Sequence, residues 1–281
     1  MPTAASTRAT IGPNLVDAAG ADAAFPAEGF LNYSQTFDVD GAVLGAEAFA
    51  GFGDLRHFFS DCKYSYGTVT YPAAVTSGCT FQVCTDPMDA STKGYMESAG
   101  AITITGPHVA DGSFTIEPSK AGTYFNGLPP STTILWLPGD TALAVHANGA
   151  AFPAFDVNGF VAPSAPTSLT VNGLDALRGN PSFSRQSDLS LAFAGVTAGT
   201  TMAVNLGTFT PGRIIGLQCD FQATSATEVI SKTDLQQLDS TTSGSFGWSV
   251  FSQGTVAPSD VRVTGTLSVS GSPQQTFSTT D

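Results

Sequence analysis

The chain has 281 residues, 23 of them acidic against 10 basic, giving a formal net charge of −13 with only 12% charged residues. That balance excludes nucleic acid and anionic lipid as general partners, because a net-acidic surface repels their dense negative charge. With 42% hydrophobic residues, 30 Gly and 17 Pro, the chain is long enough for two domains and has the composition of an all-β protein with a neutral, Ser/Thr-rich surface.

Residues 1–28 lack the basic and apolar regions of a secretory signal and read as a loosely ordered leader at the start of a mature chain. No run approaches the ~20 consecutive apolar residues of a membrane helix, so no transmembrane segment is expected. From Gly29 the pattern turns to short apolar alternations cut by Gly, Pro and Asp-Gly, the signature of strands and tight turns. FLNYSQTFDV ends at Asp40-Gly41, a hairpin signal because primed turns need positive φ at their central residues. A return strand is expected after it, although Gly45, Gly51 and Gly53 make 42–61 look more like a Gly-broken loop than a helix.

KYSYGTVTY and CTFQVC form a second predicted hairpin, followed by strands in AITIT, SFTIE, TILWL, TALAVHA and AFDV. The proline-rich stretch Ala162 to Pro166 then reads as an ordered connector between two modules, since proline fixes φ and extends its predecessor. Beyond it come SLTVNG, DLSLAFAG, TTMAVNLG, RIIGLQCDFQA, GSFGWSVFS and DVRVTGTLSVSG. In the fourth of these, Ile215, Leu217, Cys219 and Phe221 share one face and Gln218, Asp220 and Gln222 the other, as in an antiparallel sheet with one buried side. SKTDLQQL is the one helix, with Ser231 as N-cap. The expected architecture is two consecutive antiparallel β-sandwich domains, 29–162 carrying the cysteine cluster and 163–281 immunoglobulin-like in size.

Three cysteines crowd into Cys62, Cys79 and Cys84, with Cys219 far away. No C-x2-C pair is present, so disulfide bonding in an oxidising compartment is preferred to zinc. In a regular strand Cys79 and Cys84 point to opposite faces, and a hairpin that sets Gly67 opposite Cys79 sets Cys62 opposite Cys84. The expectation is a Cys62–Cys84 bond with Cys79 and Cys219 as buried apolar thiols; a tight Cys79–Cys84 loop is the alternative.

The order of Cys62, Cys79 and Cys84, AGAITITG at 99–106, WLPGDTALAVHA at 136–147, FPAF at 152–155, Ala162-Pro163, SDLSLAF at 187–193 and Cys219-Asp-Phe221 resembles uncharacterised extracytoplasmic β proteins and lipoproteins of myxobacterial type. The resemblance spans roughly residues 60 to 250 and implies a secreted or surface-anchored β protein, without an activity.

Candidate chemistry is sparse. Nucleophilic catalysis needs a base beside a Ser or Cys, and only His57, His108 and His146 are available, with no G-x-S-x-G elbow. His146 is expected to point away from Leu143, Val145 and Ala147, as an exposed strand residue, and His108 follows the Gly106-Pro107 turn. Asp38 and Asp40 sit at a hairpin tip, where D-x-D-G also opens calcium loops; the alternatives are a calcium ion held by Asp38, Asp40 and Glu47, or a plain turn. Asp156 and Asn158 on one side of the connector, and Asp175 and Arg178 on the other, mark a groove for a cation or polar ligand, or merely two solvated turns. Tyr64, Tyr66, Tyr71, Tyr95, Tyr124, Phe125, Trp136 and Trp248 are the aromatics that could stack on a sugar. The leading functional reading is a non-catalytic extracellular or cell-surface protein acting in adhesion or matrix contact, with a surface protein or glycan as partner. A glycan-binding module, a self-assembling envelope or fibre subunit and a hydrolase are the alternatives.

Overall fold

The computed structural model describes residues 28–37, 43–53, 63–67, 78–85, 97–119, 122, 124–128, 135–210, 213–223, 227–241, 243–257, 262–271 and 275–280. Within them the protein is all-β with one short helix. The strands are β1 Glu28–Phe37, β2 Val43–Gly53, β3 Lys63–Gly67, β4 Gly78–Thr85, β5 Ile102–Thr105, β6 Ser113–Ile116, β7 Tyr124–Leu128, β8 Leu143–Ala147, β9 Phe155–Phe160 and β10 Ser168–Val171. They continue with β11 Leu174–Asp175, β12 Ser182–Phe183, β13 Leu189–Ala194, β14 Thr201–Thr210, β15 Arg213–Gln222, β16 Thr227–Ile230, β17 Gly244–Val256, β18 Arg262–Gly271 and β19 Gln275–Thr279. The helix, α1 Lys232–Leu235, begins as expected: Ser231 Oγ accepts from the Asp234 amide at 3.2 Å.

Three sheets result. The largest is eleven-stranded, in the order β3-β4-β15-β14-β17-β18-β1-β2-β7 with β12 and β19 alongside; the smaller ones run β6-β5-β8-β9 and β11-β10-β13-β16. The large sheet is mixed, because β1 lies parallel to β18 and antiparallel to β2. The expected boundary at 162/163 therefore does not divide the hydrogen bonding: ladders cross it between β1 and β18 and between β4 and β15. Its connector is a buried seam. Trp136 Nε1 donates to the Pro163 carbonyl at 3.3 Å, Gly139 and Asp140 exchange backbone bonds with Ala162, and Ser164 Oγ donates to the Gly195 carbonyl at 2.8 Å.

Other expectations change in detail. Residues 43–53 form a strand despite their glycines, because Ala46, Ala48, Ala50 and Phe52 alternate with Glu47 and Phe49 and bury one face. TILWL supplies no strand over its described residues 135–137; Gln35 instead brackets them from β1, accepting from the Leu135 amide at 3.2 Å and donating to the Trp136 carbonyl at 3.4 Å. The β3–β4 hairpin forms two residues out of the expected register, with Gly67 opposite Phe81 and Tyr64 opposite Cys84.

The expectation of free thiols at Cys79 and Cys219 is overturned. Cys79 bonds Cys219 across 140 residues, because β4 pairs with β15 in a register that sets these two directly opposite, with Cα atoms 4.0 Å apart. Both had been assigned as free thiols, and the tight Cys79–Cys84 loop is excluded with them. Cys62 and the Cys84 side chain lie outside the described residues.

Chain length shows that the large sheet is coiled. Gly53 ends β2 and Lys63 begins β3, seven places away in the strand order, or ~34 Å at ~4.8 Å per strand. Following the ladders also displaces them by eight positions along β18, Arg262 to Ser270, and seven more along β4, Gly78 to Thr85. Ten chain steps reach at most ~36 Å, so a flat sheet could not be connected.

The core lies between the large sheet and the inner faces of the small ones. On the large sheet Gly254 and Gly265 face each other, and a methyl group added at Gly265 would lie 2.7 Å from Phe160 Cζ. Phe52 gathers Phe152, Phe155 and Tyr124 with ring centroids 4.8, 5.5 and 5.6 Å away. Tyr124 is buried with its hydroxyl satisfied, donating to the Gly100 carbonyl at 2.7 Å and accepting from the Ala99 amide at 2.8 Å. The hydroxyl of Tyr33, also fully buried, has no hydrogen-bond partner, and burial pushes its pKa above the ordinary tyrosine range.

Two stability predictions follow from this packing. Cys219→Ser, or reduction of the wild type, lowers stability by about 2–5 kcal/mol, read as a fall in melting temperature, and non-reducing peptide mapping recovers Cys79 joined to Cys219. Gly265→Ala costs about 1–3 kcal/mol by overpacking against Phe160, whereas Tyr33→Phe is neutral or stabilising because it removes an unpaired buried hydroxyl; denaturant melts of the two variants measure both effects.

Candidate functional site

The sheet β6-β5-β8-β9 has one buried and one open side. Ile102, Ile104, Leu143, Val145, Ala147, Phe155 and Val157 point into the core. The alternate positions build a polar outer face. Ladder pairing aligns Thr115, Thr103, His146 and Asp156 in one row and Ser113, Thr105, Ala144 and Asn158 in the next. His146 is thus the exposed strand residue that its parity predicted, with its side chain 51% exposed.

Its ring is held on both sides. Nδ1 lies 2.7 Å from Asp156 Oδ1 on the neighbouring strand, and Nε2 lies 3.1 Å from Asn148 Oδ1. A doubly protonated imidazole donates to both oxygens; a neutral one keeps both contacts only if the Asn148 amide turns to present its NH2. Across the sheet the Thr103 and Thr115 hydroxyls meet at 2.8 Å.

The second row contains a β-bulge. Ala144 pairs with Asn158 but Leu143 pairs with Phe160, leaving Gly159 as the extra residue at φ 80. Strict alternation would place residue 159 inward and 160 outward. The inserted glycine reverses this, sending Phe160 into the core while Asn158 and Gly159 stay exposed.

A second histidine–aspartate pair lies at one end of the same sheet. His108 Nδ1 sits 2.9 and 3.0 Å from the two carboxylate oxygens of Asp140, and Asp140 Oδ2 also accepts from the Leu137 amide at 2.9 Å. The Asp140 side chain is 10% exposed and that of His108 47%, so a mostly buried acid orients a half-exposed imidazole.

The groove expected around Asp156, Asn158, Asp175 and Arg178 is placed differently in its two halves. Asp156 and Asn158 belong to β9 and the polar face. Asp175 belongs to β11, in the other small sheet, where its Oδ1 accepts from the Leu177 amide at 2.8 Å and the Arg178 amide at 3.3 Å, and Arg178 Nη1 lies 3.7 Å from its Oδ2. Glu47 stands opposite Ser34 on β1, which donates to its Oε1 at 3.4 Å; Asp38 and Asp40 lie outside the described residues. Among the described residues no three His, Cys, Asp or Glu side chains converge as a metal site would require. Of the aromatics with sugar-stacking potential, Tyr124 and Trp136 are buried, Trp248 covers Gly271, and Phe125 is 70% exposed at the β7 edge.

Sequence reading missed both histidine–aspartate pairs. The His146–Asp156 pair was accessible, because pairing the predicted strands TALAVHA and AFDV as a hairpin brings the two residues together on the polar side. His108 and Asp140 come from loops 32 residues apart and leave no local pattern. No family model matches the chain, and no curated protein matches it.

Because Asp156 is engaged by His146 and Asp175 by its own turn, added calcium is expected to leave the melting temperature unchanged, in the wild type and in the Asp156→Asn/Asp175→Asn double variant alike. A calcium-dependent rise in the wild type that the double variant lacks would restore a metal at these residues.

Proposed function

We propose that the protein is a non-catalytic extracellular or cell-surface protein that works by contact, in adhesion or matrix binding. The observation that carries this reading is the open polar face of β6-β5-β8-β9, built from hydroxyls, amides and one hydrogen-bonded His–Asp pair. A surface of that kind suits reversible contact with polar, uncharged partners. His146, with both ring nitrogens engaged, is poorly placed to serve as a general base. The Cys79–Cys219 bond is consistent with an oxidising, extracytoplasmic compartment, and among the described residues no helix is long and apolar enough to cross a membrane. The motif resemblance to extracytoplasmic β proteins leads in the same direction.

A hydrolase is the second reading. It draws on His108, whose Nδ1 is held by Asp140 as an orienting acid holds the base of a triad.

The test is retention. Beads coated with the full chain are expected to capture bacterial surface and matrix material above an albumin control, with little change on raising salt, since the contact face carries almost no net charge. Capture no greater than the control would refute the contact reading. The second reading is separated by turnover of chromogenic esters and glycosides: catalysis by the wild type that His108→Ala abolishes would favour the hydrolase.

A further inference from the structure

The polar face is not level across its second row. In the row Thr105, Ala144, Asn158 the central side chain is a single methyl group, while its flanking positions carry a hydroxyl and an amide. Two residues further along β8 stands His146, its ring fixed by Asp156 and Asn148. Ala144 is therefore the floor of a shallow notch about two strand spacings wide, ~10 Å, walled by Thr105, Asn158 and the imidazole. Gly159 adds no wall: a methyl group there would meet nothing within 4 Å. Among the described residues, Asp156 Oδ2 and the Asn158 side-chain amide have no hydrogen-bond partner, so a free carboxylate oxygen and a free amide border the notch.

We infer that this notch binds a neutral glycan, an inference that rests on the contact reading and names the ligand class of its polar face. A pyranose presents one C–H face and a rim of hydroxyls, each able to donate and accept. The Ala144 methyl and the flank of the His146 ring match the C–H face. Asp156 Oδ2 accepts from sugar hydroxyls, the Asn158 amide both donates and accepts, and the Thr105 hydroxyl, which lies 3.5 Å from the Ala144 carbonyl, is also within reach. Charge selects among glycans. The two rows carry no lysine or arginine that could pair with an anion, and the chain carries −13 overall, so sulfated and uronic polymers are repelled while neutral ones are not.

The experiment uses the full oxidised chain on an array of neutral, N-acetylated, sulfated and uronic oligosaccharides, followed by titration calorimetry with the retained sugar. Neutral or N-acetylated glycans are expected to bind and the anionic ones not. Ala144→Tyr, which fills the notch from a half-buried position on the polar face, should abolish binding without lowering the melting temperature. Asp156→Ala, which removes the carboxylate and leaves the floor intact, should weaken it, and Thr115→Val, on the same face but outside the notch, should leave it unchanged. Retention of no neutral glycan, or equal binding by wild type, Ala144→Tyr and Asp156→Ala, would overturn the inference. If the beads capture surface material while the array retains nothing, the glycan assignment fails and the contact reading stands; if neither retains anything, both fail.

Discussion

β9 lies directly on Gly254 and Gly265 of the large sheet, and the arrangement of the open face depends on that contact. Val157 and Phe160 fill the space that the missing side chains leave, with Val157 Cγ1 only 2.8 Å from where a methyl group on Gly254 would sit. Larger residues at either glycine would push the four-stranded sheet outward and loosen the ring cluster around Phe52. With the inward residues of β9 fixed in this way, its outward residues have little freedom. Asp156 holds the imidazole of His146, Asn158 stands exposed beside Ala144 by the same alternation, and the extra glycine after it returns Phe160 to the core. Core packing and the shape of the polar face are thus two sides of one strand.

A second set of contacts joins the layers through backbone groups. Gln35, only 1% exposed, uses both ends of its amide on residues 135 and 136, and Trp136 passes the connection on to Pro163. The seam then continues through Val161, whose amide donates to Ser252 Oγ on β17 at 3.2 Å, and Ser164, whose hydroxyl accepts from Thr197 Oγ1 at 3.0 Å. Prolines in this stretch act as rigid elements within a buried crossing: they need no donor of their own and leave carbonyls free to accept from neighbours. What reads in sequence as a linker is therefore the place where three sheets are tied.

Local chemistry was legible in the sequence wherever a single strand or turn decided it. The inward side of Ile215, Leu217, Cys219 and Phe221, the outward parity of His146 and the Ser231 cap are seen in the structure, because each depends on neighbours a few residues away, but Gln218, expected on the wet side of its strand, is buried as well. Pairing between distant segments was not legible. Nothing near Cys79 indicates that β15 will lie beside it, and nothing in FLNYSQTF indicates a parallel partner 234 residues later. The glycines of 43–53 pointed away from a strand for a related reason. Gly45, Gly51 and Gly53 pair with Thr36, Phe30 and Glu28 of β1, and only that ladder makes their segment a strand. The polar face lies between these cases: its residues could be assigned to the wet side of their strands, but the notch depends on which strands pair and in what register, which periodicity alone does not place.

The parallel ladder between β1 and β18 also orders events in time. All ten residues of β1, from Glu28 to Phe37, find partners between Arg262 and Gly271, so this strand is flanked on one side by a strand made 234 residues later. Until then the β1–β2 hairpin lacks that partner, and an isolated hairpin is marginally stable in water. The large sheet cannot be completed until β18 has been made. A fold with contacts so distant in sequence acquires its structure late and slowly, and the Cys79–Cys219 bond has to wait for β4 and β15 to meet.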